Sequence, residues 1–256
     1  MSLLDGLVLF HSLDAPSGDE VADQGTNTLV ETGGAIASVP GPVEPVRAFN
    51  PDDTAFLSGP TTSLPGGNTN WTLAAVVRVD TFTATRGLFH CGWVVAGATT
   101  RTFRCTALGT QKIVFVVGRS TTQILVESAD GISPGVWATL FMGHDAVLDQ
   151  IWVSINGGPA TTVTTAGFAP NVPSEDLVLG ALEPFSLYLH GALDTFAAWD
   201  RRLTPEEMLE FYNGGSSLSH AKLVSITPTP DGMAPIFTPP GSTATMHPME
   251  FNPFTF

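Results

Sequence analysis

The residues best able to do chemistry in this chain are its 24 aspartates and glutamates. Glycoside hydrolysis needs two carboxyl groups facing one substrate, about 5–5.5 Å apart in retaining enzymes. One strand presents such a pair through a pattern such as E-x-D-x-E, which does not occur here. Asp149 opens a predicted strand alone, and Glu175 and Asp176 lie together in a predicted turn. We therefore expect no enzymatic activity of this type.

Histidine and cysteine do not indicate a catalytic or zinc centre either. The six histidines are scattered, and none follows the strand–turn–helix pattern of a hydrolase nucleophile. No C-x-x-C and no zinc-ligand spacing occurs. Cys91 and Cys105 lie on neighbouring strand-like stretches, so a disulfide is possible if those strands pair. Two buried, reduced thiols are the favoured alternative, because the chain shows no signal peptide.

The composition is that of an acidic globular protein. The net charge is −14, charged residues make up only 13% of the chain and hydrophobic residues 43%. This charge should repel nucleic acid and anionic membranes, and no apolar run reaches the length of a membrane span. The acidity either keeps a sparsely charged surface soluble or supplies carboxylates for Ca²⁺ or a basic partner.

The first residues predict a strand. The segment MSLLDGLVLFHSLD has no basic residues before its apolar stretch, and Asp5 interrupts it. A secretory signal peptide would have a basic start and an uninterrupted apolar core. We therefore expect the protein to be made and assembled in a cytoplasm.

Short alternating runs between Gly, Pro, Asn and Asp predict an all-β sandwich. Trp71–Val79 alternates over nine residues, and Ile151–Ile155 leads into the hairpin signal Asn156-Gly157. Helical periodicity occurs only at 205–213, where Thr204 caps the helix and Pro205 begins it. The remaining predicted strands are Gly6–Leu13, Val46–Asn50, Ala55–Ser58, Gly87–Val95, Thr100–Thr106, Lys112–Val117, Gln123–Glu127, Trp137–Met142, Ala160–Thr164, Leu177–Leu179 and Leu187–Trp199.

The tryptophans fall mostly on the strand phases that face a core. This holds for Trp93, Trp137, Trp152 and Trp199, which we interpret as core residues rather than a platform for stacking sugars. Trp71 follows a polar Gly/Asn loop, so both interpretations stay open for it.

Residues 190–214, HGALDTFAAWDRRLTPEEMLEFYNG, resemble the closing segment of laminin-G-like (concanavalin A-like) jelly rolls. That segment reads roughly G-x-[ILV]-D-x-[ILV]-x-[ILV]-[YW]-[ND]-R-x-L-[ST]-x-E-E-[IM]. Further family-like pieces occur in the right order from residue 6 onward, at 6–13, 23–27, 47–57, 71–78, 135–138 and 156–157. The resemblance implies an antiparallel β-sandwich, the concanavalin A-like jelly roll, with one short C-terminal helix. Domains of this kind usually bind or build rather than catalyse.

The resemblance also implies a structural Ca²⁺. In similar domains, the aspartate of the G-x-[ILV]-D strand and oxygens of an early turn often share one ion. The matching positions are Asp194, Asp23 and Asn27. The alternative is that Asp194 accepts backbone N–H bonds, while Asp23 and Asn27 form an Asx turn.

The composition changes near residue 220. We divide the chain into a jelly-roll domain, 1–220, and an extended proline-rich arm, 221–256. Seven prolines after residue 224 exclude regular helix or central strand. Ordinary disordered tails are poor in aromatics. This arm carries Phe237, Phe251, Phe254 and Phe256, which we expect to bind either their own domain or a neighbouring subunit.

These features predict a non-enzymatic structural or attachment protein of a phage-like particle, such as a decoration, fibre or tail component. Laminin-G-like domains without signal peptides resemble those found in virions, where they meet other subunits or surface glycans. The expected partners are other copies of the chain or virion proteins, reached through the arm. The alternative is a carbohydrate-binding module of a bacterial surface or secreted protein.

Overall fold

Antiparallel strands form almost all of the computed structural model, which describes residues 2–42, 44–92, 102–182 and 187–225. The strands within these residues are β1 (Leu7–His11), β2 (Glu20–Val21), β3 (Thr28–Thr32), β4 (Ala37–Pro40), β5 (Pro45–Phe49), β6 (Phe56–Gly59), β7 (Trp71–Val79), β8 (Arg86–Cys91), β9 (Phe103–Ala107), β10 (Lys112–Arg119), β11 (Thr122–Gly131), β12 (Trp137–Asp145), β13 (Gln150–Ile155), β14 (Thr161–Thr164), β15 (Leu177–Leu179), β16 (Ala181–Leu182), β17 (Leu187–Tyr188) and β18 (Gly191–Trp199). Two helices follow, α1 (Pro205–Tyr212) and α2 (His220–Ser225).

The strands form two large sheets and one small pair. Sheet I has the order β14-β13-β12-β7-β18-β5-β4, with β1 also paired to β18. Sheet II has the order β11-β10-β9-β8-β15-β6-β3-β2, and β16 pairs with β17. Nearest neighbours in chain order are often not neighbours in the sheets, as expected of a jelly roll.

The main core lies between the sheets, as the alternation of β7 predicts. Leu73, Ala75 and Val77 belong to this core, whereas Ala74 and Val76 face the opposite side of sheet I. Every strand with one buried face has this period of two. Each fully buried large aliphatic or aromatic side chain contributes roughly 1.5–3 kcal/mol, so this core is the main source of stability.

A second core covers the outer face of sheet I. Leu3, Phe211 of α1 and Leu223 of α2 pack there over Trp199 and its neighbours. The Phe211 ring lies 5.5 Å from the Trp199 ring, in a T-shaped arrangement. Trp199 Nε1 donates a hydrogen bond of 2.7 Å to the carbonyl oxygen of Leu3. The chain ends of the domain are therefore held on one face of one sheet.

Helix α1 begins as the sequence predicts. Thr204 Oγ1 accepts from the N–H of Glu207, and the Glu207 carboxylate accepts from the N–H of Thr204, which makes a capping box. Arg201 forms two bonds of 2.8 Å to Glu207 and also donates to the carbonyl oxygens of Ser2 and Asp5. One arginine thus ties the helix start to the N-terminal segment.

A buried ion network closes one open edge of the sandwich. Arg47 is fully buried and pairs with Glu31 and, at 3.5 Å, with Glu20. It also donates to the carbonyl oxygens of Ala15 and Gly18. A buried charge is tolerated only when it is paired and hydrogen-bonded. The network therefore joins β5 of sheet I to β2 and β3 of sheet II.

Several sequence expectations need correction. Strands β2, β3 and β4 were not predicted, because short edge strands with mostly exposed side chains lack a clear alternation. The single predicted strand Leu187–Trp199 is two strands, β17 and β18, since His190 accepts from the N–H of Asp80 in a turn between them. Helix α2 was also not predicted.

The two cysteines are free and buried, as the favoured interpretation predicts. They lie on the paired strands β8 and β9 and contribute to the main core. Burial raises the pKa of the Cys91 thiol to about 12 and that of Cys105 further still, so both thiols are unreactive. The arm phenylalanines Phe237, Phe251, Phe254 and Phe256 lie outside the described residues.

Candidate functional site

Asp194 lies at an irregularity in the middle of β18. On the β7 side, Leu193 pairs with Val77 and Thr195 pairs with Val76, so Asp194 is the extra residue of a β-bulge. On the other side, β5 pairs with β18 as far as Leu193, and β1 pairs from Phe196 onward. Asp194 therefore lies at the gap in sheet I where one neighbouring strand replaces another.

A small cavity occupies this gap. Its volume is about 10 Å³, roughly the room needed for one water molecule. Asp194 is only 4% exposed, and its Oδ1 accepts a 3.1 Å bond from the Thr195 hydroxyl. Its Oδ2 has no hydrogen-bond partner among the described residues. Two carboxylates and four hydroxyls line the cavity, from Ser12, Glu44, Asp194, Thr195, Ser217 and Ser219.

The electrostatics around Asp194 are strongly acidic. Burial, together with the charges of Glu44 and Asp14 and against the Thr195 hydrogen bond, raises the pKa of Asp194 to about 7. A hydrogen bond with Asp14 and partial burial raise the pKa of Glu44. In the folded protein, burial and mutual repulsion thus disfavour the ionised form of these carboxylates. A bound cation would offset this repulsion.

The other two predicted calcium residues have different surroundings. Asp23 is exposed, and its Oδ2 accepts a 2.9 Å bond from the N–H of Ser12, a residue that lines the cavity. Asn27 is buried; its amide donates to the carbonyl oxygen of Pro60, and its Oδ1 accepts from the hydroxyls of Thr62 and Ser63. Asp23 therefore bonds a residue of the cavity wall, whereas the side chain of Asn27 is hydrogen-bonded to residues 60–63.

Sequence reasoning missed Asp14 and Glu44. Glu44 lies in the turn between β4 and β5, and no motif marks it. Across the described ranges, no three His, Cys, Asp or Glu side chains are grouped as metal ligands. Oxygen donors nevertheless match a hard cation such as Ca²⁺, which takes carboxylates, hydroxyls and carbonyls. The residues that could hold it are Asp194 and Glu44, with serine and threonine hydroxyls.

A second candidate site is a surface at one end of the sandwich, formed by residues 60–70, 145–149 and 165–173. We call it the loop surface. Asn70 Oδ1 accepts a 2.8 Å bond from the N–H of Ala146, and the N–H of Gly67 donates to the carbonyl oxygen of Asn171. Such cross-links make separate loops into one fixed surface.

The loop surface exposes three aliphatic side chains. Val147 is 81% exposed, Val172 67% and Leu148 60%. Asp145 fixes the turn that carries Val147 and Leu148, because its Oδ1 accepts hydrogen bonds from the N–H groups of both residues. Its Oδ2 forms an ion pair with Arg202. Aliphatic groups held in water by a rigid turn are a feature of interaction surfaces.

Trp137 is the third candidate. Trp71, Trp152 and Trp199 are fully buried, which confirms the prediction for the latter two, and Trp93 lies outside the described residues. Trp137 is only half-buried. The Arg78 guanidinium lies 5.4 Å from its ring centroid, and Arg78 Nε donates a 2.7 Å bond to Asp80.

Comparison with solved structures finds the same fold in domains of other proteins. Domain 4 of AbnA, an extracellular arabinanase of Geobacillus stearothermophilus solved with arabinotriose, has a TM-score of 0.60 and 18% identity, covering 79% of this chain and 96% of that chain. The binding domain of Paraclostridial Mosquitocidal Protein 1 has a TM-score of 0.61 and 14% identity, covering 82% of this chain and 52% of its own. The receptor-binding domain of botulinum neurotoxin mosaic serotype C/D has a TM-score of 0.62 and 9% identity, covering 84% and 52%.

These structural similarities establish the fold. The chain spans about half the length of the two toxin domains. No curated protein matches the sequence. Neither helix in the described ranges is long and apolar enough to cross a membrane. Residues 51–208, more than half of the chain, match the sequence family described as the concanavalin A-like lectin/glucanases superfamily. The protein therefore belongs to this superfamily, in its laminin-G-like form, as the order of its sequence motifs predicted.

Proposed function

We propose that this protein is a non-enzymatic structural or attachment component of a phage-like particle, acting as a decoration, fibre or tail protein. The observation that carries the proposal is the loop surface, where hydrogen bonds between loops hold Val147, Leu148 and Val172 in solvent. Exposed aliphatic groups on a fixed surface suit a protein partner, because their burial is favourable and the ordering cost is already met.

A binding role also fits what this architecture does elsewhere. The arabinanase domain was solved with arabinotriose, and the toxin domain is a receptor-binding domain. On that basis we propose that the jelly roll also contacts surface glycans. The proposed location is the virion, assembled in a host cytoplasm, with an extracellular or cell-surface location as the alternative.

The acidic cavity supports the absence of enzymatic activity. Its volume of about 10 Å³ leaves no room for a sugar ring beside Asp194. A glycosidase must place two carboxyl groups on either side of a scissile bond. We propose instead that the cavity binds a structural Ca²⁺ through Asp194 and Glu44, with Asp23 adding negative charge nearby. The bound ion would supply charge neutralisation and no chemistry.

We propose further that the arm joins the domain to its assembly. Helix α2 packs on the outer face of sheet I through Leu223, so the chain leaves the described domain on that side. Phe237, Phe251, Phe254 and Phe256 would then bind other copies of the protein or other virion proteins. Each buried phenylalanine contributes roughly 1.5–3 kcal/mol, which is enough for four to hold a subunit.

The experiment is incorporation into purified particles, followed by mass spectrometry. The double variant Val147→Asp/Leu148→Asp should fold normally and lose most of its incorporation, because aspartates on the loop surface would be buried without partners. Val21→Asp is the matched control, since Val21 is 71% exposed but lies on β2, outside the loop surface. Absence of the wild-type protein from particles would refute the proposal.

One observation favours the alternative, a carbohydrate-binding module. Trp137 is half-buried, and Arg78 and Asp80 beside it offer donors and acceptors for sugar hydroxyls. A glycan array separates the two functions. Binding that is lost in Trp137→Ala, in a protein that does not enter particles, would establish the module in place of the virion component.

A further inference from the structure

The Asp194 cavity is closed on one side by a segment that follows helix α1. We call residues 216–219 the serine segment. It contributes Ser217, which is 1% exposed, and Ser219 to the cavity wall. The remaining wall comes from β18, from Ser12 after β1 and from Glu44 before β5. The cavity therefore lies at the junction between the sandwich and its C-terminal part.

Other contacts of the serine segment are few in the described residues. The N–H of Leu218 donates a 3.1 Å bond to the carbonyl oxygen of Phe211, which is part of the preceding helix. Leu218 and Leu223 contribute to the second core, and the His220 ring lies 5.4 Å from the Phe10 ring. Within the described ranges, no ion pair joins residues 216–225 to the sandwich. The cavity is therefore one polar contact between this segment and the sandwich.

One buried oxygen of the cavity lacks a hydrogen-bond donor within the described ranges. Asp194 Oδ2 is buried and without a donor among the described residues, although the hydroxyls of Ser12, Ser217 and Ser219 line the same space. A buried carboxylate oxygen without a donor costs free energy comparable to a lost hydrogen bond to a charge. Such an oxygen, in a small space shared with serine residues, is a position that a hard cation would suit.

We infer that a divalent cation in the Asp194 cavity docks the serine segment, and helix α2 with it, onto sheet I. This inference rests on the calcium proposed above and adds what the ion does. Two carboxylates of the sandwich would hold the ion, and the hydroxyls of Ser217 and Ser219 would complete its shell. Loss of the ion would leave the carboxylates facing these hydroxyls with no positive charge between them, and the segment would detach.

Hydrogen exchange of the full chain, read by mass spectrometry, tests the docking. At calcium about ten times its dissociation constant, opening of a segment docked by the ion becomes about tenfold rarer. The amides of Leu218 and Leu223 should therefore exchange about tenfold more slowly in calcium than in chelator. Amides of the edge strand β11, which contributes no residue to the cavity, should not change where they exchange by local opening, because such opening does not release the ion. Equal protection by sodium at matched ionic strength would indicate charge screening and would overturn the inference.

Variants assign the effect to the serine segment. Ser217→Ala/Ser219→Ala should weaken calcium binding in calorimetry and remove most of the difference in exchange between calcium and chelator. The lost bond from the N–H of Lys222 to Ser219 Oγ should speed exchange equally in both conditions. Ser216→Ala, an exposed neighbour that does not line the cavity, should change neither. Asp194→Asn should abolish both calcium binding and the calcium-dependent protection. If this variant does not fold, the double serine variant is the test, because it leaves both carboxylates in place.

The outcomes separate the proposals. Calcium binding without slower exchange at Leu218 and Leu223 would refute the docking and leave the structural calcium intact. Absence of calcium binding to the wild-type chain would refute both. Neither result bears on the attachment function, which depends on Val147 and Leu148 and on the particle experiment.

Discussion

Single buried side chains account for the unusual chemistry of this sandwich. Asp194 has a carboxylate oxygen with no donor in the part of the chain that the structure describes, Arg47 is a fully buried cation, and His90 is 4% exposed on the second sheet beside Arg104. Burial, and then the positive charge of Arg104, lower the pKa of His90 to about 4. Each of these groups is buried although it is polar or ionisable, so its replacement should give a measurable response.

His90 should destabilise the domain in mild acid, whereas the raised pKa of Asp194 favours the folded state as the pH falls. The unfolded chain has a histidine pKa of 6.5 and the folded one about 4, so the folded state favours the neutral ring. The stabilisation is complete above pH 6.5 and is lost as the pH falls toward 4, by about 2–3 kcal/mol. His90→Gln should flatten this slope in urea unfolding between the two pH values. His11, also lowered to about 4 by burial, should leave a residual slope. An unchanged slope in the variant would contradict the assignment.

Calcium bound at Asp194 should stabilise the folded domain. At about a hundredfold over its dissociation constant, the ion contributes roughly 2.7 kcal/mol, which corresponds to several degrees of melting temperature. We expect the wild-type protein to melt lower in chelator, and Asp194→Asn to melt lower still and lose this response. Loss of charge-assisted hydrogen bonds could also destabilise Asp194→Asn, and only the chelator response separates the two causes. Equal wild-type melting temperatures in calcium and chelator would leave Asp194 as a structural carboxylate.

Among the elements, helix α1 and its approach are the most constrained. The capping box and Arg201 bring together the helix start, the strand β18 before it and the N-terminal segment. The hydrogen bonds of Arg201 and Thr204 with Glu207 outweigh its burial, so its pKa lies below the ordinary value. The helix covers the outer face of sheet I, and this arrangement positions the serine segment over Asp194.

Arg201→Ala should destabilise the domain by about 2–4 kcal/mol, because it leaves the buried Glu207 carboxylate without its partner. Urea unfolding measures the change, and Arg119→Ala is the control, since Arg119 is exposed. In Glu207→Gln, the cost of Arg201→Ala should shrink, as expected of a coupled pair. A cost no larger than that of Arg119→Ala would show that the ion pair contributes nothing.

For the whole molecule, the jelly roll and the arm are expected to separate cleanly. Helix α2 ends at Ser225, so deletion of residues 226–256 removes the arm and leaves every described element intact. The truncated protein should remain folded and soluble, with circular dichroism like that of the full chain, and should no longer join its assembly. Normal incorporation of the truncated protein into particles would refute the role of the arm.

The whole domain should also show no turnover of a panel of β-glucans. No E-x-D-x-E strand is present, and the cavity that holds Asp194 and Glu44 is too small for a sugar. Reducing-sugar assays with the purified full chain test this expectation. Turnover that disappears when a single Asp or Glu is replaced would contradict it.

The sequence by itself determined the elements whose signals are local. Alternation in Trp71–Val79 and Ile151–Ile155 depends only on which side chains avoid water, and the strands lie where this pattern predicts. The start of α1 follows from Thr204, Pro205 and Glu207, which interact within one turn. The motif around Asp194 identified the superfamily and the one predicted metal residue that lines the cavity.

Only the tertiary structure decided which residues share a site. Glu44 and Ser217 line the same cavity as Asp194. They do so because the neighbour of β18 changes from β5 to β1 beside the bulge, and because the chain after α1 passes over this gap. No local sequence pattern encodes such long-range contacts. Asn27 matched the turn motif, yet its side-chain oxygen accepts hydrogen bonds from Thr62 and Ser63. The exposed Val147 and Leu148 depend on how a turn is oriented against neighbouring loops. Contacts between residues far apart in the chain arise from packing of whole sheets, so the sequence leaves them open.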